Sequence, residues 1–484
     1  KLYAHGLSRT KKMNFTKYFH LGVPVEDPPK EGEEDVLILH GTRMTVPKSI
    51  SKIASDQITH ESGIPLLPVD KALERCEEVH IVLTDNTMRR KCVALVPQYE
   101  SFHIFKYMRV PEKGGKVNKT EKLRYVSRGY QTNGRDQFIP PAPNHTRRLW
   151  NMLVKYIQSI NEVLAALEKQ CKKVIKDNTL IVMVCNFGQS ELLLNFVCSA
   201  RARGLDTSQI LVFATDKETK SLAEGLGLTA FFDEKNFGPM PSEAANGYGD
   251  RKFVAMMLAK VLCVQMVSML GYDFLFQDVD IIWFKHPLDY FKQQKEEFDI
   301  YFQDDGAHST RYAPYSANTG FYFVKHNART QFFLTSLLHA GDLVIKTDSH
   351  QQALIALLAE HVSLYGLRVK VLDRHMEEFP GGYNYHQKSG KYMKAFFQGE
   401  IKPYIFHMSW TLNKNNKLLF LKQMGEWYLK DKCIQTKAED IGTGDLAPTC
   451  CLAEPNVTCH YRDKPSKIPC TDFPPIDVGK DSFW

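Results

Sequence analysis

The run Thr179-Leu-Ile-Val-Met-Val-Cys185 marks a change of pattern along this chain. Residues 180–185 are all apolar, which predicts a strand buried on both faces. Working outward from it, Ser190 can cap a helix that runs to Gly204. Residues 210–214 read as a second buried strand, Thr215-Asp216 as the start of a helix ending near Gly225, and residues 228–232 as a third strand. Strand, helix, strand, helix, strand at this spacing is half of a nucleotide-binding α/β fold, in which ligands gather at the carboxyl ends of the strands. Asn186, Phe187 and Asp216 occupy those ends and are candidate substrate contacts.

Further along, residues 251–270 read as a helix that is apolar almost all round, interrupted by Lys260, Gln265 and Ser268 and stopped by Gly271. Tyr248 and Arg251, at its entrance, are candidate substrate contacts from position alone. A lysine inside such a helix needs a route to solvent or an anion partner, and a diphosphate would serve for Lys260. The helix feeds an apolar strand ending in Asp278-Val-Asp280, the only D-x-D of the chain. Two carboxylates at i and i+2 face the same side of an extended segment and can hold a divalent cation by oxygen. Such a cation would neutralise charge developing on a leaving diphosphate. His407 follows an apolar run at 404–406, and a neutral imidazole is a competent further ligand.

Upstream, residues 1–34 read as an arm and 35–146 as a small α/β unit with a linker, its β-rich runs at 36–39, 79–83, 93–96 and 102–105. Residues 147–173 carry apolar positions at helical spacing: Leu149, Leu153, Ile157, Ile160, Leu164 and Leu167. The main α/β domain spans 147–430, with a helix predicted over 415–430, and a Cys-rich extension covers 431–484. Of eleven cysteines, five lie in the last 52 residues, at Cys433, Cys450, Cys451, Cys459 and Cys470. A poorly packing tail of this kind is either disulfide-stapled or a zinc site, and the absence of a C-x-x-C pair favours disulfides. Cys76 and Cys92 are spaced to form another bridge. Cys185, Cys198 and Cys263 sit in apolar runs and read as buried free thiols.

The composition is globular, with 43% hydrophobic and 24% charged residues among 484. A net charge of 62 − 55 = +7, with no basic stripe interleaved with aromatics, argues against nucleic acid as a partner. No run approaches the roughly 18 consecutive apolar residues of a membrane helix. The sequence begins at Lys1 without a signal pattern, so either the chain is cytosolic or a targeting segment or anchor has been removed. Sequons at Asn14, Asn118, Asn144 and Asn456, in polar or Pro-containing stretches, are candidate glycosylation sites. With the clustered cysteines they point to the lumen of the Golgi or endoplasmic reticulum.

The segment from Gly271 to Trp283 resembles the metal-binding segment of the nucleotide-diphospho-sugar transferases of glycosyltransferase family 77. Further stretches carry the same resemblance: Tyr301-Phe-Gln-Asp304-Asp305-Gly, Asn318-Thr-Gly-Phe-Tyr-Phe, Ser349-His350-Gln351-Gln352-Ala-Leu and Phe406-His407-Met-Ser-Trp410. It covers residues 179–428, about half the chain. The resemblance implies a GT-A fold, an α/β architecture with a mostly parallel sheet flanked by helices. It also implies a UDP-sugar donor, a divalent cation that is usually manganese, a glycan or glycoprotein acceptor, and transfer with retention of configuration.

On the same footing Asp278, Asp280 and His407 become the metal ligands, and Asn318 becomes a sugar-binding residue. Gln351, Asp304 and Asp305 become the candidate catalytic residues, at positions that face the donor sugar. His350 stands where related enzymes carry Asp, which removes the side chain that a covalent nucleophile would need there. A same-face transfer, with the leaving phosphate oxygen taking the acceptor proton, is the expected mechanism. Phe379-Pro-Gly381-Gly382-Tyr383 reads as a mobile loop, and Tyr383, Tyr385 and Trp410 as aromatics that can stack on sugars. Two rivals stand beside this reading. One is a phosphohydrolase with Asp278 as nucleophile and Asp280 as acid/base, although Ile282 stands where such enzymes usually carry Thr or Val. The other is a non-catalytic secreted carbohydrate-binding protein. Galactose, xylose and arabinofuranose remain open as the donor sugar.

Overall fold

The computed structural model describes residues 143–237, 240–247, 249–294, 298–306, 312, 315–381, 392, 395–396, 399–411, 413–434 and 444–456, with the strand backbones that precede them. Backbone proximity divides the chain into two compact units. The first comprises Lys1–Ala165, Asn327–Thr347 and Gln352–Leu367; the second comprises Ala166–His326, Asp348–Gln351 and Arg368–Trp484.

In the first unit, β1 (Val36–Gly41), β2 (Glu78–Thr84), β3 (Phe102–Arg109) and β4 (Leu123–Val126) form a sheet in sequence order, parallel at β1–β2 and antiparallel elsewhere. The two-residue strands β5 (Tyr130–Gln131) and β6 (Phe138–Ile139) pair with each other. The expected run at 93–96 and the Cys76–Cys92 bridge lie outside the described residues, as do Asn14 and Asn118. Helix α1 (Pro143–Val174) begins four residues before the predicted start, with proline in a position where its missing N–H costs nothing. Its six periodic apolar residues are all buried. The sequon at Asn144 lies on the exposed first turn of this helix rather than in a loop.

The second unit is built on a seven-stranded sheet in the order β14-β12-β13-β10-β7-β8-β9. These strands are β7 (Thr179–Cys185), β8 (Ile210–Ala214), β9 (Thr229–Phe232), β10 (Asp273–Gln277), β12 (Ile300–Asp304), β13 (Ala317–Val324) and β14 (Val369–Val371). Only β13 runs against its neighbours, so the sheet is mostly parallel, as a GT-A-type fold requires. Every residue of β7 and β8 is buried, which is why the sequence shows continuous apolar runs there rather than alternation. The chain steps one way from β7 to β8 and β9, then crosses to the other side of β7 for β10. That reversal opens a crevice beyond the carboxyl ends of β7 and β10.

Helices close the layers. Helix α2 (Ser190–Ala202) starts with Ser190 as its first residue, not as its cap, because a 3₁₀ turn at Phe187–Gln189 precedes it. Gly188 forces that tight entry: its N–H bonds Ser242 O at 2.6 Å, and a Cβ there would meet Ala244 N at 1.9 Å. Helix α3 (Lys217–Gly225) is capped by Asp216 as predicted, the carboxylate accepting from Thr219 N. Helix α4 (Arg251–Met269) is capped by Asp250 and ends at Gly271, whose φ is +86°. Among the described residues it is the one helix long and apolar enough to cross a membrane, and most of it is buried in the fold.

Two expectations are corrected in the C-terminal part. Helix α6, following α5 (His350–Tyr365), covers only Lys414–Gln423, because Gly425 at φ +79° turns the chain. Trp427, Tyr428 and Leu429 are then buried from a non-helical segment instead of from a helix face. Cys198 is not a free thiol: it is bonded to Cys451, 253 residues away. Periodicity placed Cys198 in the core, but it carried no sign that the tail returns to α2. A second disulfide joins Cys433 to Cys450, the last residue of α7 (Leu446–Cys450). Cys185 and Cys263 are buried and free as expected.

Candidate active site

Asp278 and Asp280 leave β10 at the crevice. Asp278 N donates to Gly320 O at 2.8 Å, anchoring the turn to β13. The next three residues form β11 (Ile281–Trp283), which pairs antiparallel with β15 (Ile405–His407), so that Ile281 lies opposite His407. This small ladder brings the distant imidazole beside the acidic pair. Asp278, Asp280 and His407 each offer a ligand atom, and these atoms lie within 4.8 Å of one another.

The surroundings suit a divalent cation. Asp280 is 5% exposed, and its Oδ1 accepts no hydrogen bond while lying 3.6 Å from His407 Nε2. A buried carboxylate oxygen left in that state is costly without a cation to face. Gly320 supplies the space: a Cβ there would meet His407 Cε1 at 2.7 Å and Asp278 Oδ2 at 2.8 Å. The carboxylates' other oxygens take lysines, with Lys260 Nζ on Asp278 Oδ1 and Lys417 Nζ on Asp280 Oδ2, both at 2.5 Å. Burial pushes the Asp280 carboxyl up, but the charges of Lys417, His407 and Lys260 together hold it below the ordinary carboxylate range. Burial lowers the His407 pKa despite both aspartates, which favours the neutral, ligating imidazole.

A cavity of about 440 Å³ opens over this group. Gln351, the second residue of α5, turns its Oε1 to the N–H and hydroxyl of Thr319, both at 3.2 Å, and donates from Nε2 to Asp305 Oδ1 at 2.9 Å. Asn318 Nδ2 donates to the same oxygen at 3.1 Å, and Trp410 Nε1 donates to Asp305 Oδ2 at 2.9 Å. Burial nevertheless pushes the Asp305 carboxyl up to about 6. His350 is buried with its Nδ1 2.8 Å from Met257 Sδ, and burial, with the Lys260 charge, pushes its pKa well below the ordinary value. Trp410 holds φ +62°, a left-handed conformation rare for a bulky residue, and stays 38% exposed at the cavity.

Of the residues picked from sequence, Asp278, Asp280, His407, Lys260, Asp305, Asn318, His350, Gln351 and Trp410 line this one cavity. Others are not brought there. Asp304 instead accepts from Gly306 N. Asn186 donates to Pro241 O and Glu243 O, and Asp216 accepts from Phe187 N as well as capping α3. These strand-end polar groups tie loops together, and Phe187 packs against the core. Arg251 is exposed at the start of α4 and does not line the cavity. Gly382, Tyr383, Tyr385 and Tyr248 lie outside the described residues. Lys414, Lys417, Gly320 and Thr319 also line the cavity but were not singled out from sequence. Gly320 sits in the quoted Asn-Thr-Gly stretch, whereas nothing local distinguishes Lys417 from a surface lysine of an amphipathic helix.

The fold and the site define a class: a mostly parallel α/β sheet with an acidic pair and an imidazole, a group that could hold a metal ion, converging at its switch point. Residues 206–421 match the family described as nucleotide-diphospho-sugar transferase. The chain is 27% identical over 300 residues to a UDP-galactose:fucoside alpha-3-galactosyltransferase of Dictyostelium discoideum, covering 53% of this chain and 44% of the relative. It is 25% identical over 271 residues to a beta-arabinofuranosyltransferase of Arabidopsis thaliana, covering 52% and 48%. It thus spans about half the length of these curated relatives. A solved structure, mouse xyloside xylosyltransferase 1 in its apo form, superposes with a TM-score of 0.31 at 12% identity over 47% of this chain and 97% of that one.

Proposed function

We propose that this chain is a metal-dependent, retaining glycosyltransferase that moves a sugar from a UDP-sugar to a glycan or glycoprotein hydroxyl. The observation that carries the reading is the convergence of Asp278, Asp280 and His407 beneath the cavity. Asp278, Asp280 and His407 would hold a divalent cation such as manganese, which when bound stabilises the charge gathering on a departing diphosphate. Lys260, Lys414 and Lys417 line the same space and add positive charge where that diphosphate would sit.

The chain's own groups do the rest by positioning. Asp305 orients Gln351 and Asn318 toward the cavity. Its oxygens are engaged by three donors, which makes it a poor nucleophile, and position 350 carries an imidazole rather than a carboxylate. Both features favour same-face transfer, in which the leaving oxygen takes the acceptor proton, over a covalent glycosyl-enzyme. The donor sugars weighed are galactose, xylose and arabinofuranose. The two disulfides fit an oxidising lumen of the secretory pathway, and Asn144 and Asn456 are exposed as glycosylation would need.

The test is UDP release from a panel of UDP-sugars with and without manganese, on wild type and Asp280→Asn. Manganese-dependent release that vanishes in the variant supports the proposal. Release that is indifferent to manganese or to Asp280→Asn, or a trapped glycosyl adduct found by mass spectrometry, contradicts the metal or the same-face part respectively.

A further inference from the structure

Resting on the metal-dependent reading above, we infer that Gln303 is a positioning residue that fixes the tautomer of His407 and thereby aims its Nε2 lone pair at Asp278 and Asp280. Gln303 is 1% exposed, and its Nε2 donates to Pro380 O at 2.8 Å. A proline carbonyl can only accept, so the amide nitrogen must face Pro380 and the amide oxygen must face the other way. That oxygen lies 2.7 Å from His407 Nδ1. An acceptor opposite Nδ1 requires a proton on Nδ1, and a neutral imidazole has only one, so its lone pair resides on Nε2. Nε2 is the nitrogen on the side of Asp280, 3.6 Å from Oδ1.

The backbone explains how a glutamine comes to be there. Along β12, Phe302 pairs with Tyr322 but Gln303 pairs with Asn318, so three residues of β13, Thr319, Gly320 and Phe321, bow out between consecutive partners. A bulge of this kind re-aims the side chains beside it. It delivers Gln303 to the imidazole while placing Gly320 against His407 and Asp278. The far end of the chain of bonds is also held, because Gly381 N, next to Pro380, donates to Arg374 O at 2.9 Å. Outer partners of this type orient a ligating histidine, and their loss typically costs about 10–100-fold in metal affinity.

The experiment is manganese binding by the full chain without nucleotide, followed by electron paramagnetic resonance, alongside thermal unfolding. Wild type should bind, and Asp280→Asn should weaken binding at least about tenfold; if it does not, the metal reading fails and this inference with it. Gln303→Leu, which removes the acceptor for Nδ1–H, should weaken binding about tenfold or more. If Asp280→Asn behaves as expected but folded Gln303→Leu binds like wild type, the positioning role is overturned and the metal site stands. A readout independent of any Gln303 variant is the ¹⁵N spectrum of histidine-labelled protein without manganese, assigned with His407→Gln. His407 should show a protonated Nδ1, and a protonated Nε2 overturns the inference.

Discussion

Gln351 Nε2 donates to Asp305 Oδ1 at 2.9 Å, so the first turn of α5 and the end of β12 share one carboxylate. Trp410 and Asn318 donate to the same group from two further segments. Burial outweighs these donors, and the Asp305 carboxyl titrates at about 6 against an ordinary value of 3.8. A folded value above the unfolded one means that the folded chain holds the proton more tightly. The associated stability is therefore present at low pH and lost as pH rises from about 4 through about 6. Thermal unfolding across that window should show a shallower slope in Asp305→Asn than in wild type, in which Glu426, also pushed up by burial, contributes as well. Trp410→Phe, which deletes a donor to the ionised form, should extend the slope to higher pH.

Lys417→Met tests the pair with Asp280. Lys417 is 23% exposed on its side chain and Asp280 5%, so the ion pair is largely out of water. Removing one partner of such a pair costs about 3–5 kcal/mol, because the remaining charge is left without compensation. Urea unfolding should show that loss. The double variant with Asp280→Asn should recover part of it, giving a non-zero coupling energy in a double-mutant cycle.

Gly320→Ala should be disproportionately damaging for a single methyl group. Its Cβ would lie 2.7 Å from His407 Cε1, 2.8 Å from Asp278 Oδ2 and 3.0 Å from Asn318 Oδ1. Relieving those contacts must shift the candidate ligands, at a cost of about 1–3 kcal/mol. Manganese titration should show weakened binding, and a variant that binds as wild type does would contradict the crowding argument.

Cys198→Ser should lower stability by about 2–4 kcal/mol, the usual range for losing a disulfide that closes a long loop. Denaturant midpoints with and without reductant measure it. Wild type under reducing conditions should lose at least as much as the variant does without reductant.

Much of the site was legible because its chemistry is local in the chain. Asp278-Val-Asp280 follows an apolar strand, and the buried strands β7 and β8 announce themselves as unbroken apolar runs, so the switch point could be placed near them. His407 was reached through resemblance and its position after an apolar run. The strand-end polar residues misled for a physical reason: Asn186 and Asp216 stand at the carboxyl ends of strands, but their side chains satisfy backbone groups of adjoining loops. Lys417 and Gln303 were silent because their roles come from partners 137 and 104 residues away. No window of sequence displays such a pairing. The short α6 was missed because apolar residues past Gly425 keep a helix-like spacing while the backbone has already turned.

Cys450 and Cys451 are neighbours, yet one is bonded 17 residues back and the other 253 residues back. Between them the backbone also docks on the 428–430 segment, with Lys430 N on Cys450 O and Leu452 N on Tyr428 O. Adjacent residues with such divergent tethers cannot exchange places by a one-residue slip. The C-terminal strap is thus keyed in a single register, like a tooth in a gear, and the segment that follows α6 inherits that alignment.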